Sequence, residues 1–183
     1  MKLYIIGNGF DLHHGLRTGY TDFHRYLKVN NPVLETELGN YFEFNTDEDP
    51  EYLWKCFEED LAQFNFQLFF EIHNYIDINA DDFRTSYCYG LEDDLTEESE
   101  RFVQRRRSAF EEWIFTIDCA DIKEVQKDKL LAIDRCAQFI NFNYTDTLEE
   151  AYSIDRNHIC YIHNNAHEQL GELIFGHGQE EED

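Results

Sequence analysis

Leu3-Tyr4-Ile5-Ile6-Gly7-Asn8-Gly9-Phe10-Asp11, near the start of this 183-residue chain, and Phe139-Ile140-Asn141-Phe142-Asn143-Tyr144-Thr145-Asp146-Thr147-Leu148-Glu149 decide its fold. Each is an apolar run that ends in a polar turn, the pattern of a buried strand reaching its loop. Gly7-Asn8-Gly9 lets the backbone turn sharply and approach a ligand closely, because glycine has no Cβ and tolerates positive φ. The second run ends in amide, hydroxyl and carboxylate side chains, which suit sugar hydroxyls or an activated water.

Working outward, residues 2–7 predict a strand, and Tyr20 to Val29 predicts a helix opened by Thr21 or Asp22. Tyr52, Leu53, Cys56, Phe57, Leu61, Phe64, Leu68, Phe69, Ile72 and Ile76 follow helical spacing and predict one long amphipathic helix over 51–78. Residues 80–98 read as a polar loop and 100–117 as a further helix. Lys123 to Cys136 reads as a helix leading into a strand at 139–142. A short helix at 146–152 and strands at 158–162 and 172–175 complete the pattern. Strands separated by helices predict an α/β fold with parallel pairing and ligands at the carboxyl ends of the strands. The expectation is a single domain over 1–183, with a helical insertion at roughly 50–120.

Composition narrows the partners. A hydrophobic fraction of 42% with 16% aromatics supports a packed core, and the formal charge of -24 opposes a broad surface for nucleic-acid phosphates. The basic run Arg105-Arg106-Arg107 lies between acidic clusters, so ion pairs along a helix face are the expected arrangement. Five cysteines without CxxC spacing, no secretory segment and no membrane-length apolar run predict a cytoplasmic protein with reduced thiols. His163 and His167 have i, i+4 spacing, but Asn164-Asn165 between them favours a turn and HExxH is absent, so no metal is expected.

Gly7 to Phe23, Asn141 to Glu149, Ile162-His163 and Phe175-Gly176-His177-Gly178, in that order, resemble the AbiH family of bacteriophage abortive-infection proteins. The same blocks are similar, more distantly, to sirtuin-like NAD-binding domains. That resemblance implies a Rossmann-like, sirtuin-like parallel sheet and an antiphage effector that binds NAD and hydrolyses its nicotinamide–ribose bond. It implies Asn143 and His163 as catalytic residues: Asn143 would hold a ribose hydroxyl or the attacking water, and His163 would accept a proton. Gly7, Asn8, Gly9, Phe10, Asp11, His14, Gly15, Asp22, Phe23, Asp146 and His177 would bind the nucleotide. Within that set the glycine loop would cradle the pyrophosphate, and Phe10 and Phe23 would cover the nicotinamide.

Other readings stay open. Asn143 and Asp146 could cap the following helix, and His163 and His177 could be structural or lie in an ordinary turn. Asn164 and His24 stand where the related families usually carry glycine and arginine, which keeps a non-catalytic NAD or ADP-ribose sensor in contention. A nuclease-type toxin using Asp11, His14 and His163 is a third possibility. Exposed aromatics of the helical insertion would be the surface for a protein partner or self-association.

Overall fold

A computed structural model describes residues 2–42, 64–117 and 127–165. The fold is mixed α/β, with a small three-stranded parallel sheet and several helices. The described residues fall into two compact units, one built from 2–26, 110–117 and 127–165 and the other from 27–42 and 64–109.

The first unit holds the sheet. Strands β1 (Leu3–Ile6), β2 (Gln138–Asn141) and β3 (Ile159–Tyr161) lie in that order. Leu3 pairs with Gln138 and Ile6 with Asn141, while Phe139 pairs with Ile159 and Asn141 with Tyr161. The ladders run one step further, since the Phe142 and Ile162 amides donate to Ile6 and Asn141. All three strands therefore end at the same edge, so the loops from residues 7, 142 and 162 leave side by side.

Alternation within the strands sends one set of side chains into a core. Ile6, Phe139 and Ile159 pack there with Leu148, Ala151 and Tyr152 of α6 (Thr147–Tyr152), and Phe10 of α1 (Gly9–His14) joins them. Leu3 and Ile5, on the opposite side of β1, are exposed. Helix α1 stops at Gly15, whose φ of 86° is the left-handed conformation that glycine adopts without steric cost. Helix α2 (Tyr20–Asn30) starts one residue before Thr21 and carries Phe23, which packs on Phe110 and Trp113 of the long helix α5 (Leu91–Phe115).

The second unit has an aromatic core. Tyr41, at the end of α3 (Pro32–Tyr41), meets Phe69 of α4 (Phe66–His73) and Phe102 of α5. Its hydroxyl lies 2.9 Å from His73 Nε2. On α5, Arg101 pairs with Glu97 and Glu98, and Arg105 with Glu98 and with Glu37 of α3. Of the basic run, Arg105 is thus drawn into ion pairs with carboxylates of α5 and α3.

Three expectations need correction. The helix over 51–78 is α4 alone within the described residues, because Phe64 forms a bridge with Phe42 and the Asn65 side chain caps a new helix by accepting from Leu68 N–H at 2.8 Å. Asn74 then ends it, folding its side chain back to the Ile76 amide. The expected loop over 80–98 is already α5 from Leu91 onward. The expected helix over 123–136 is, in its described part, a single 3-10 turn at Lys127–Lys129 followed by irregular chain. The start of that helix, residues 51–63 and the strand at 172–175 lie outside the described residues. Among the described residues, no helix is long and apolar enough to cross a membrane.

Candidate functional site

The carboxyl edge of the sheet gathers Gly7 to Asp11, Asn143 to Thr147 and His163. Neither Gly7 nor Gly9 has positive φ, which corrects the sequence-based reason for the glycines. Both stand in open space, since a Cβ at either position would meet nothing within 4 Å. Asn8 does not face outward: its amide donates to the Thr18 carbonyl at 2.9 Å and its Oδ1 accepts from the Thr18 hydroxyl at 2.6 Å. It ties the glycine turn to the segment before α2.

Asp11 is buried, with 1% of its surface exposed. Thr145 donates to one carboxylate oxygen at 2.5 Å and Thr147 to the other at 2.8 Å. Burial pushes the carboxyl up to about 6; the threonine hydrogen bonds and the neighbouring Asn143 amide oppose that rise and the charge of Asp146 adds to it.

Asn143 is buried too, and its Nδ2 donates to the Gly7 carbonyl at 3.2 Å. Its backbone amide donates to Asn141 Oδ1 at 3.0 Å, which fixes the turn after β2. With Nδ2 directed at the Gly7 carbonyl, the acceptor end of the carboxamide is left over. Asn143 Oδ1, Asp146 Oδ1 and His163 Nδ1 are all shielded from solvent with no hydrogen-bond partner among the described residues. Asp146 sits at the N-cap position of α6 without a side-chain capping bond. The His163 ring lies against Tyr144 and Phe142, with centroids 5.5 and 5.9 Å away.

Asn164 has a φ of 63°. Glycine fills that left-handed region freely and asparagine is among the residues that best tolerate it, so the backbone after His163 takes the shape a glycine there would favour.

Several expected ligand contacts turn inward instead. His14 is buried: its Nδ1–H donates to the Phe10 carbonyl at 2.6 Å, and its Nε2 accepts from the Tyr152 hydroxyl at 2.6 Å. Tyr152 in turn accepts from the Leu131 amide. Burial holds the His14 imidazole below its ordinary value, so it stays neutral and saturated within the protein. Phe23 is fully buried against Phe110 and Trp113 and has no surface to offer a nicotinamide. Phe10 leans on His14 and Tyr152. Asp22 pairs with Arg25 at 2.7 Å, and Gly15 serves as the stop of α1. His177 lies outside the described residues.

The sequence reading assigns no role to Thr145, Thr18 or Tyr161, which prove to be the site's framework. The Tyr161 hydroxyl donates to Glu149 Oε2 at 2.7 Å, and burial followed by the charge of Glu149 drives the phenol far above its usual range. Two threonines two residues apart, directly after a strand, were the available signal for Thr145 and Thr147. Their partner was not readable, since Asp11 is more than 130 positions away.

Fold and site define a mixed α/β protein with unpartnered polar atoms on the loops at the carboxyl edge of a parallel sheet. The chain matches the family described as bacteriophage abortive infection AbiH over residues 3–183, and it belongs to that family. Membership points to an antiphage abortive-infection role. No curated protein and no solved structure matches it.

Proposed function

We propose that this edge binds NAD and hydrolyses its nicotinamide–ribose bond, giving nicotinamide and ADP-ribose as the cell's response to infection. The observation that supports it best is the trio of unpartnered atoms, Asn143 Oδ1, Asp146 Oδ1 and His163 Nδ1. A buried polar atom without a partner is costly, and a ligand that completes it is one reason to keep it. Asn143 Oδ1 and Asp146 Oδ1 are acceptors, matched to hydroxyl donors of a ribose or to a water. The open space at Gly7 and Gly9 suits close approach of the pyrophosphate to the backbone. On this reading the pocket belongs to a Rossmann-like, sirtuin-like domain.

The chemistry needs little acid assistance, because nicotinamide leaves neutral with the electron pair of the broken C–N bond. The anomeric carbon becomes oxocarbenium-like and a water adds to it, passing its proton to His163 Nδ1. Asn143 Oδ1 accepts from that water or from the adjacent ribose hydroxyl, and Asp146 holds the sugar. Phe142 and Tyr144 flank the imidazole and fix its plane.

Purified protein incubated with NAD should release free nicotinamide, and Asn143→Ala and His163→Ala should each lower the rate by about a hundredfold or more. Saturable NAD binding with no nicotinamide formed would make the protein a sensor instead. Absence of NAD binding would overturn the pocket assignment.

A further inference from the structure

We propose that Asp11 is a positioning residue: by gripping Thr145 and Thr147 it holds the intervening Asp146 out of a helix-capping role and frees that carboxylate for the sugar. The inference rests on the role given to Asp146 above. Asp11 itself touches no substrate, being 1% exposed.

The two oxygens of Asp11 are divided between the residues on either side of Asp146. Oδ2 accepts from the Thr145 hydroxyl at 2.5 Å and Oδ1 from the Thr147 hydroxyl at 2.8 Å. Each threonine has one hydroxyl hydrogen, so neither can serve both Asp11 and the other hydroxyl 3.1 Å away. Both threonines are buried, which keeps water from replacing the carboxylate. The Tyr161 hydroxyl also approaches this turn, 3.2 Å from the Thr145 carbonyl, but its one hydrogen is taken by Glu149 at 2.7 Å.

The backbone at Asp146 shows what the grip does. A side chain caps a helix when its own backbone is extended, which aims the side-chain oxygen at the amides of the first turn. Asn31, Asn65 and Asp155 have ψ of 68°, 82° and 130°, and each side chain accepts a backbone amide of the turn that follows. Asp146 has ψ of 27° and makes no such bond. Asn8, with ψ of -28° ahead of α1, also makes none and gives its side chain to Thr18. Asp146 Oδ1 is instead left shielded from solvent with no partner among the described residues. A fold that forgoes a cap and leaves that oxygen unpaired loses stability twice, which a ligand would offset.

Urea unfolding at about pH 8, above the Asp11 value of about 6, tests the grip without substrate. Asp146→Ala should leave the midpoint unchanged or raise it, because no cap is lost. With Thr145→Val the Asp146 backbone relaxes to the extended cap, and adding Asp146→Ala should then lower the midpoint by about 0.5 M, the usual loss of an N-cap acceptor. Should Thr145→Val not fold, Thr147→Val removes the other hydroxyl and serves in its place. A drop of that size on Asp146→Ala in the unaltered protein would overturn the proposal, and so would its absence in the threonine variant.

Kinetics with NAD supply a second readout. Thr145→Val should lower kcat/KM about tenfold, and Thr145→Ser should restore most of that loss by returning the hydroxyl. Thr145→Val should add less than about twofold to the loss in Asp146→Ala, because it acts through that residue. A full additional loss in the double variant would also overturn the proposal. If the unaltered protein releases no nicotinamide, the hydrolase reading fails alone, and the urea midpoints still decide the role of Asp11.

Discussion

A carboxylate buried as deeply as Asp11 is a cost that the fold sustains for geometry. Its folded value of about 6 lies above an unfolded value near about 3.8. The folded state therefore binds the proton more tightly. The stability contributed by this group is fully present below about 3.8 and is lost as pH rises through 6. Across that window the unfolding free energy of the protein, measured against that of Asp11→Asn, should fall by about 2–3 kcal/mol, read from urea midpoints at pH 4 and pH 7. A difference that grows toward pH 7 would mean that the hydrogen bonds outweigh burial. His14 shows the opposite solution: it is equally buried, but neutral and saturated by Phe10 and Tyr152. A histidine beside a glycine turn reads as a ligand contact from sequence, and the tyrosine that claims it lies 138 positions away.

Among the elements, boundaries follow side chains that compete for backbone hydrogen bonds. Helix α3 begins where Asn31 Oδ1 accepts from the Leu34 amide at 3.2 Å, with Pro32 in the first turn. Proline there loses no helical bond, and its fixed φ already suits the helix. Asn-Pro ahead of Leu34 and Leu38 was thus a readable start signal. Asn31→Ala should destabilise the protein by about 1 kcal/mol in urea unfolding, the usual loss when an N-cap acceptor is removed. The apolar spacing across 64–76 was misleading, because the hydrophobic period continues through Asn65 while its side chain starts a new helix. Periodicity reports which residues are buried and is blind to a side-chain cap within the run. Strands β1, β2 and β3 were legible, since short apolar runs of β-branched and aromatic residues bounded by polar turns have few alternatives.

For the whole molecule, charge is the dominant physical fact. Thirty-nine acidic side chains face fifteen basic ones, and the ion pairs at Arg101 and Arg105 offset only part of that excess. Self-repulsion of this size opposes the compact state and is screened by salt. The unfolding temperature should rise by several degrees between about 20 mM and about 300 mM sodium chloride, and an unchanged value would mean that the repulsion is already relieved locally. The same charge opposes a phosphate-backbone partner and leaves room for a small anionic nucleotide reached through backbone and neutral groups.

Sequence alone determined the parallel pairing of the strands, the carboxyl edge at which their polar turns lie and the family, because these depend on short-range patterns: apolar runs, the turns that end them and motif order. It also singled out Asn143, Asp146 and His163, whose unpartnered atoms share that edge. Only the tertiary structure decided which members of each motif turn outward and which turn in. Asn8, Asp11, His14 and Phe23 look as ligand-directed in the sequence as Asn143 does. Their partners Thr18, Thr145, Tyr152 and Trp113 come from other segments of the chain. A side chain's role is settled by what saturates it, and that depends on contacts no local pattern encodes.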